Sequence, residues 1–376
     1  MKVLAVSSPH TASTRDVWTK LCLGLTANGV EVQPFDLVPR ISLFEQMTND
    51  MHKKKQELPH GWNPATLAYE AVLGAALAFD CDTVIVVSPQ YFPEGITDLL
   101  RKVGIKSVAY CTECPYEDEI HMPVVASSFD MTLVNDLNSL GLFQSFCDKV
   151  MYTPHSYNPL LHYPPADEDS REQNTVFVGT GYQSRMDFFA KVDWPVPLDI
   201  HGGYWKLPKK TKNVRIHTGT EMAHKMMLSR QTGVRPNLIG MGSEAQKKKF
   251  AYEIVEPEET AEIYRDAGAA FSLHRTLKYF GSEETIITGE AYSLGPRNWE
   301  LAACRTFQVS DFRQELVDVF EDSVPLYETP RELGDLMRRA FNEPEWRKEL
   351  AYRQWEKAQP YSCQNVMRPV AQFLAA

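Results

Sequence analysis

Residues Ala269 to Asp311 read AAFSLHRTLKYFGSEETIITGEAYSLGPRNWELAACRTFQVSD, and the architecture is legible from this stretch outward. Ala269 to Leu273 is a short apolar run with the length and bounds of a buried strand, and His274 and Arg275 stand at its carboxyl end. A polar loop follows. Gly295-Pro296-Arg297-Asn298 then opens a helix that runs through Trp299, Leu301 and Ala303 to Cys304, with Pro296 suited to the first turn. Thr306 to Val309 reads as the next strand, closed by Ser310-Asp311. Strand, helix, strand in that order means a parallel pair with a crossover.

The same alternation extends both ways. Toward the amino terminus, Val3–Val6, Glu31–Phe35, Thr83–Val87, Ser107–Tyr110 and Met131–Val134 read as strands separated by helical stretches; Thr83–Val87 (TVIVV) is β-branched throughout, as a strand buried on both faces should be. The pattern stops in the proline-rich run PHSYNPLLHYPPADEDSREQN and restarts at Thr175–Val178, which ends in Gly179-Thr180-Gly181. Toward the carboxyl terminus, Thr329-Pro330-Arg331-Glu332 carries a cap, a first-turn proline and an N3 glutamate. The expectation is an α/β protein with two facing Rossmann-like domains and a helical tail. Residues 1–155 form the first domain, 156–173 a linker, and 174–355 the second. Residues 356–376 form a last helix that returns to the first domain.

Composition narrows the function classes. The 376 residues carry 39 basic and 49 acidic side chains, a net charge of −10, so the chain as a whole lacks the basic field of a nucleic-acid binder. Its clearest apolar run, Ala71 to Phe79, is far shorter than the roughly 20 residues of a membrane helix. The first residues read as a strand without a signal-peptide cleavage site. Seven cysteines, an odd and sparse set, fit reduced thiols better than a disulfide framework. Together these lead to the expectation of a cytoplasmic protein. Cys111-x-x-Cys114 has no second Cys or His pair at zinc spacing and reads as inert, so no metal is implied. Gly179-Thr180-Gly181 lacks the Lys-Ser/Thr of a phosphate-binding loop and is weak by itself.

The opening of the helix at Gly295 carries chemistry. A helix amino terminus offers free N–H groups and about half a positive charge, which suits a phosphate. Gly295 permits close backbone approach, Pro296 pre-sets the turn, and Arg297 adds a bidentate fork. Glu300 is badly placed for an anion but well placed to accept hydrogen bonds from ribose hydroxyls. Glycine, arginine and glutamate in this order suggest a nucleoside diphosphate with its sugar.

The run S-x-G-P-R-N-W-E-x-A-A-C-x-T-F-x-x-S-D resembles the signature of the spore-maturation-type glycosyltransferases, which have the two-domain GT-B fold. Arg297, Trp299, Glu300, Ala303 and Cys304 match; Arg305 stands where glycine is usual. Asn174–Thr180 with Arg185, Tyr264-Arg265-Asp266-Ala267, Pro154-His155 and Thr112-Glu113-Cys114-Pro115-Tyr116 also resemble family segments. The resemblance implies transfer of a hexose from a nucleotide-diphosphate sugar, most plausibly a UDP-sugar, bound by the second domain. Carried over residue by residue, Arg297 holds the diphosphate and Glu300 the ribose. Gly179, Thr180 and Arg185 lie beside the pyrophosphate, with His274, Arg275, Gly295, Pro296 and Asn298 completing the donor site. Retaining relatives carry another glutamate eight residues before the ribose glutamate. Tyr292 stands there, with Glu290 out of register, so the stereochemical outcome does not carry over.

An inverting transfer needs a general base on the acceptor side. Glu113, after the Ser107–Tyr110 strand, and His10, in the first loop, are the candidates, against plainer readings as a capping or solvated carboxylate and an ordinary loop histidine. His274 and Arg275 have the plainer reading of a surface pair, and Arg297 and Glu300 that of a helix-end ion pair. The acceptor stays open among a glycan, a protein, a small molecule and a hydroxymethylated base in phage-type DNA. The DNA reading rests on Lys206, Lys209, Lys210, Lys212 and Arg215 beside Tyr204 and Trp205, which otherwise read as a solvated loop. Two further readings share the fold: a sugar-nucleotide-binding assembly protein without transfer, and a sugar-nucleotide epimerase.

Overall fold

Residues 1–9, 13–116, 118–208, 211–217, 255–275 and 291–375 are described here from a computed structural model of the chain. They form two compact units. Of these described residues, those up to 156 with 291–293 and those from 361 on form the first, and those of 157–275 with 294–360 the second.

In the first unit six strands form one parallel sheet: β1 (Lys2–Val6), β2 (Glu31–Phe35), β3 (Thr83–Val87), β4 (Lys106–Cys111), β5 (Met131–Val134) and β6 (Val150–Tyr152). Their order is β2-β1-β3-β4-β5-β6. Helices α1 (Ser13–Ala27), α2 (Val38–Lys53), α3 (Pro64–Phe79), α4 (Glu94–Lys102), α5 (Asp118–Ala126) and α6 (Leu140–Gln144) connect them. Period-two alternation divides the strand residues between two cores. Leu4, Val6, Val84 and Val86 join Ala68, Tyr69 and Val72 of α3 on one face. Val3, Ala5, Ile85 and Val87 join Val17, Leu21 and Leu25 of α1 on the other. That second face is completed from the far end of the chain, by Val366, Met367, Val370 and Leu374 of the last helix (Cys363–Ala375). Gly24 makes this contact possible, since a Cβ there would lie 2.3 Å from the Cys363 carbonyl oxygen.

The second unit holds a five-stranded parallel sheet of β7 (Thr175–Val178), β8 (Leu198–His201), β9 (Val214–His217), β10 (Ala269–Ser272) and β11 (Gln308–Ser310), ordered β11-β10-β7-β8-β9. Its helices are α7 (Gln183–Phe189), α8 (Pro257–Asp266), α9 (Pro296–Ala303), α10 (Gln314–Phe320), α11 (Pro330–Asn342) and α12 (Pro344–Ala358); the last helix of the chain is α13. The capping box at Thr329 and Glu332 forms, with both reciprocal hydrogen bonds. An aromatic core of Phe177, Phe189, Trp194, Trp205 and Phe271 lies under the sheet.

Two expectations are corrected locally. Residues 157–173, set between the domains by their prolines, pack as part of the second unit. Arg171 there donates to the Arg265 and Ala267 carbonyls after α8 and to the Cys304 and Arg305 carbonyls after α9, so one guanidinium satisfies two helix ends. The last strand begins at Gln308, two residues after the expected Thr306, because the Thr306 N–H closes α9 on the Leu301 carbonyl at 3.0 Å. The matching Arg305 N–H reaches Ala302 at 2.9 Å, and Arg305 holds a left-handed φ of 52°. That conformation is the physical reason glycine is usual at this position.

All seven cysteines are free, and burial pushes the Cys304 thiol up to about 12 and Cys363 up to about 11. Among the described residues no helix is long and apolar enough to cross a membrane.

Candidate active site

Strand order reverses between β7 and β10, where a doubly wound sheet opens a crevice at the carboxyl ends of its strands. Gly179 and Thr180 leave β7 at this point, and Leu273 and His274 leave β10. Arg185, from the first turns of α7, ties the two together. Its Nη1 donates to the Thr180 carbonyl at 3.0 Å, and its Nε and Nη2 donate to the Leu273 carbonyl at 3.1 and 2.7 Å. The side chain is buried, and burial with the neighbouring Arg297 charge lowers its pKa to about 10. Three of its donors serve main-chain carbonyls, so Arg185 braces the crevice.

Arg297 enters from α9. Its guanidinium lies 4.3 Å over the Phe177 ring, and Nη2 donates to the Val178 carbonyl. The Tyr264 hydroxyl is a further partner. Its buried Nε has no hydrogen-bond partner, and it forms no ion pair with a described carboxylate. Gly179 is what admits this arginine: a Cβ there would lie 2.6 Å from Arg297 Nη2. Gly295 caps α9 without a side-chain bond and Pro296 occupies its first turn. A Cβ at Gly295 would meet nothing within 4 Å.

His274 is held from both sides. Its Nδ1 lies 2.6 Å from Asp311 Oδ1, its main-chain N–H donates to both Asp311 oxygens, and its Nε2 lies 3.2 Å from Asn298 Oδ1. Arg275 follows, its carbonyl accepting from Arg313 at 3.2 Å. Glu300 is buried less than two turns into α9, near enough to Tyr264 and Cys304 for its charge to act on both groups. Of the ten donor-site residues expected from sequence, Gly179, Thr180, Arg185, His274, Arg297 and Asn298 meet at one crevice, with Gly295, Pro296 and Glu300 on the same helix. Sequence reasoning missed Phe177, Tyr264, Asp311 and Gln308. Phe177 and Tyr264 lay in segments that resemble the family but were given no role, Asp311 had a signal as an acidic residue closing a strand, and Gln308 had none.

In the first unit the order reverses between β1 and β3. The carboxyl ends of β3 to β6 carry a series of polar groups, and the Arg15–Asp36 ion pair lies after β1 and β2. Ser88, at a left-handed φ of 46°, bonds Thr112 through their hydroxyls at 2.7 Å. Asn135 Oδ1 accepts from the Cys114 N–H at 3.0 Å, and its Nδ2 lies 3.1 Å from Nε2 of buried His155, whose pKa burial lowers to about 3. Asp136 accepts from the Asn138 and Ser293 N–H groups at 2.9 Å, and burial raises its carboxyl. Glu113, half-buried, directly follows β4 and Thr112. His10 and Glu290 lie outside the described residues.

The basic stretch resolves in part. Trp205 is a core residue, stacked on Phe189 at 5.0 Å and donating to the Gly179 carbonyl at 2.8 Å. Arg215 Nε donates to Asp199 at 2.6 Å. Lys206 and Lys212 are exposed, and Lys209 and Lys210 lie outside the described residues. No group of three His, Cys, Asp or Glu among the described residues could hold a metal ion.

Residues 196–372 match the family model described as glycosyl transferase-like, a span that includes His274, Arg297, Glu300 and Asp311. The chain has the GT-B fold. Sucrose-phosphate synthase from Thermosynechococcus elongatus superposes with a TM-score of 0.60 at 13% identity, covering 100% of this chain and 98% of the other. The Anabaena protein HepE in complex with UDP-glucose does so with a TM-score of 0.56 at 12% identity, over 100% and 99% of the two chains. The trehalose-6-phosphate synthase OtsA gives 0.54 at 10% identity, over 100% and 98%. No curated protein matches the chain in sequence.

Proposed function

We propose that this glycosyltransferase of the GT-B fold moves a hexose from a nucleotide-diphosphate sugar, with UDP as the carrier, to an acceptor hydroxyl. The observation that carries the reading is Arg297. A cation without a carboxylate partner among the described residues stands at the topological switch point, on the first turn of a helix whose capping glycine would give an added Cβ no neighbour within 4 Å. HepE is similar in fold along its whole length and binds UDP-glucose, which favours that carrier and donor class.

The roles follow from the chemistry. Arg297 and the N–H groups of α9 hold the diphosphate and stabilise its charge as the bond to the anomeric carbon breaks. Glu300 accepts from the ribose hydroxyls. Arg185 keeps Thr180 and Leu273 at the spacing the diphosphate needs, and His274 and Asn298 hold the start of α9. The acceptor oxygen bonds the anomeric carbon and gives up its proton, with Glu113 as the base if the transfer inverts. The acceptor is a glycan, a protein, a small molecule or a hydroxymethylated DNA base. With Trp205 in the core and Arg215 bonded to Asp199, the first three are favoured over DNA.

The test is a panel of nucleotide sugars, following release of the nucleotide diphosphate with and without hydroxymethylated DNA. Slow release from one donor that disappears in Arg297→Ala is the expected result. Stimulation by the DNA would overturn the acceptor preference. No release and no thermal shift with any nucleotide sugar would sink the donor reading.

A further inference from the structure

The hydrogen-bond polarity around His274 decides its proton count. A neutral imidazole has one N–H and one lone pair, so it can satisfy only one acceptor. His274 faces two groups, and the question is whether both accept. An amide's oxygen and nitrogen are told apart by its neighbours. The fixed point is the main-chain carbonyl of Asn298, which can only accept. Gln308 Nε2 lies 2.8 Å from it and therefore donates, which turns Gln308 Oε1 toward the Asn298 side chain. Asn298 Nδ2 donates to that oxygen at 3.1 Å. Asn298 Oδ1 is then the atom left facing His274 Nε2 at 3.2 Å. Reversing both amides would set Gln308 Oε1 against a carbonyl oxygen, two acceptors with no proton between them.

The other side is equally constrained. Asp311 accepts from the His274 main-chain N–H at 3.1 and 3.0 Å and from the Ser310 hydroxyl at 3.4 Å. Burial acts to raise its carboxyl, while the Arg313 charge and the His274 main-chain N–H act to lower it whatever the state of the ring. It is a carboxylate, and it accepts from Nδ1 at 2.6 Å. Gln308 itself is fixed by Gln354, which accepts from its main-chain N–H and donates to its carbonyl, both at 3.1 Å.

We infer that His274 is a doubly protonated imidazolium, held between Asp311 and Asn298, and that it positions the first turn of α9 and Arg297 for the donor diphosphate. The positioning half rests on the donor reading above; the proton count does not. Among the described residues, the charged groups around the ring are Asp311 and Arg313 beyond β11, Arg297 on α9, and Arg185 on α7, which donates to the neighbouring Leu273 carbonyl. Burial, with Arg313 and Arg297, pulls the ring below the ordinary histidine value against the Asp311 charge, and the two fixed acceptors pull the other way. The two acceptors are what tip the ring to its charged form.

The experiment is nitrogen-proton NMR of the full chain carrying labelled histidine, with the His274 signals assigned by their loss in His274→Gln. At about pH 7.5 an unperturbed ring is mostly neutral, whereas His274 should show protons on both ring nitrogens. A single-proton tautomer at that pH would overturn the inference. Asp311→Asn removes the carboxylate, and one proton should then be lost. The positioning half is read from UDP affinity against pH. Wild type should weaken as the second proton leaves, while His274→Gln should bind roughly tenfold more weakly with no such step. Equal pH profiles would overturn it. If UDP binds neither protein, the donor reading has failed, and the spectrum still decides the ring.

Discussion

The two units build sheets of the same kind and set different side chains at their strand ends. In each, a parallel sheet reverses its strand order once, between β1 and β3 in the first and between β7 and β10 in the second. In the first unit Ser88, Thr112, Asn135 and His155 follow β3, β4, β5 and β6 in turn, and the Arg15–Asp36 ion pair lies after β1 and β2. Around the reversal in the second stand Arg185, Arg297 and His274. The contrast is sharpest in two histidine–asparagine pairs. Asn135 is oriented by the Cys114 N–H, so its amide nitrogen faces His155 and keeps that ring neutral. Asn298 is oriented through Gln308 by a carbonyl, so its oxygen faces His274 and asks for a proton. The backbone supplies the place; one amide's direction supplies the charge. A crevice with Arg185 and Arg297 at its strand ends suits the anionic donor proposed above.

The largest effect should come from discharging the second crevice. Arg297→Ala removes a cation whose charge-assisted bonds are worth about 1.5–3 kcal/mol each, so UDP affinity should fall roughly tenfold to a hundredfold or more. The substitution also removes bonds to the Val178 carbonyl and the Tyr264 hydroxyl, so a melting temperature is recorded beside the affinity to separate loss of binding from loss of fold. Gly179→Ala reaches the same residue indirectly. Its Cβ would lie 2.6 Å from Arg297 Nη2 and force the guanidinium off Phe177, so UDP affinity should fall about tenfold with Arg297 still present. Calorimetric titration of both variants separates the contrast into charge and position. Wild-type affinity in Gly179→Ala would show that Arg297 does not act from where it stands.

How much of this was legible in the sequence follows from how local each feature is. Strand alternation, the proline start of α9 and the Thr329 capping box depend on neighbours a few residues apart, and all are present. Arg297 was legible because glycine, proline and arginine lie consecutively at a helix start. The paired roles of His274 were not, since they depend on Asp311, Gln308 and Gln354, which only the sheet order brings together. Trp205 misled for the same reason: beside lysines it reads as a stacking surface, yet Phe189 and the Gly179 carbonyl claim it. The proline-rich run misled because proline signals a break in regular structure and says nothing of packing, and Arg171 packs.

The strand ends of the first unit can be attacked with acid. His155 titrates near 3 in the folded chain against 6.5 for a free ring, so between those values the unfolded chain binds the extra proton and stability falls as pH falls. The loss is about 1.4 kcal/mol per pH unit once below the unfolded value. His155→Gln cannot charge. Its melting temperature should sit below wild type near neutrality, and the gap should narrow as pH drops toward about 4.5. Parallel melting curves across that range would mean that His155 is not held neutral, and the contrast with His274 would collapse.

The smallest effect tests whether the cationic crevice is open to a ligand or only looks so. Gly295 has φ −74°, which any residue adopts, and a Cβ there meets nothing within 4 Å. Alanine is a poorer helix cap than glycine, yet it also restrains the unfolded chain. These opposing effects are each below about 1 kcal/mol, so Gly295→Ala should leave the melting temperature nearly unchanged. The protein gives the added methyl no other neighbour, so any loss of UDP affinity must come from the ligand itself. A few-fold loss is expected, on the order of 0.5–1 kcal/mol. Unchanged affinity would move the diphosphate away from the start of α9 and leave Arg297 to hold it alone.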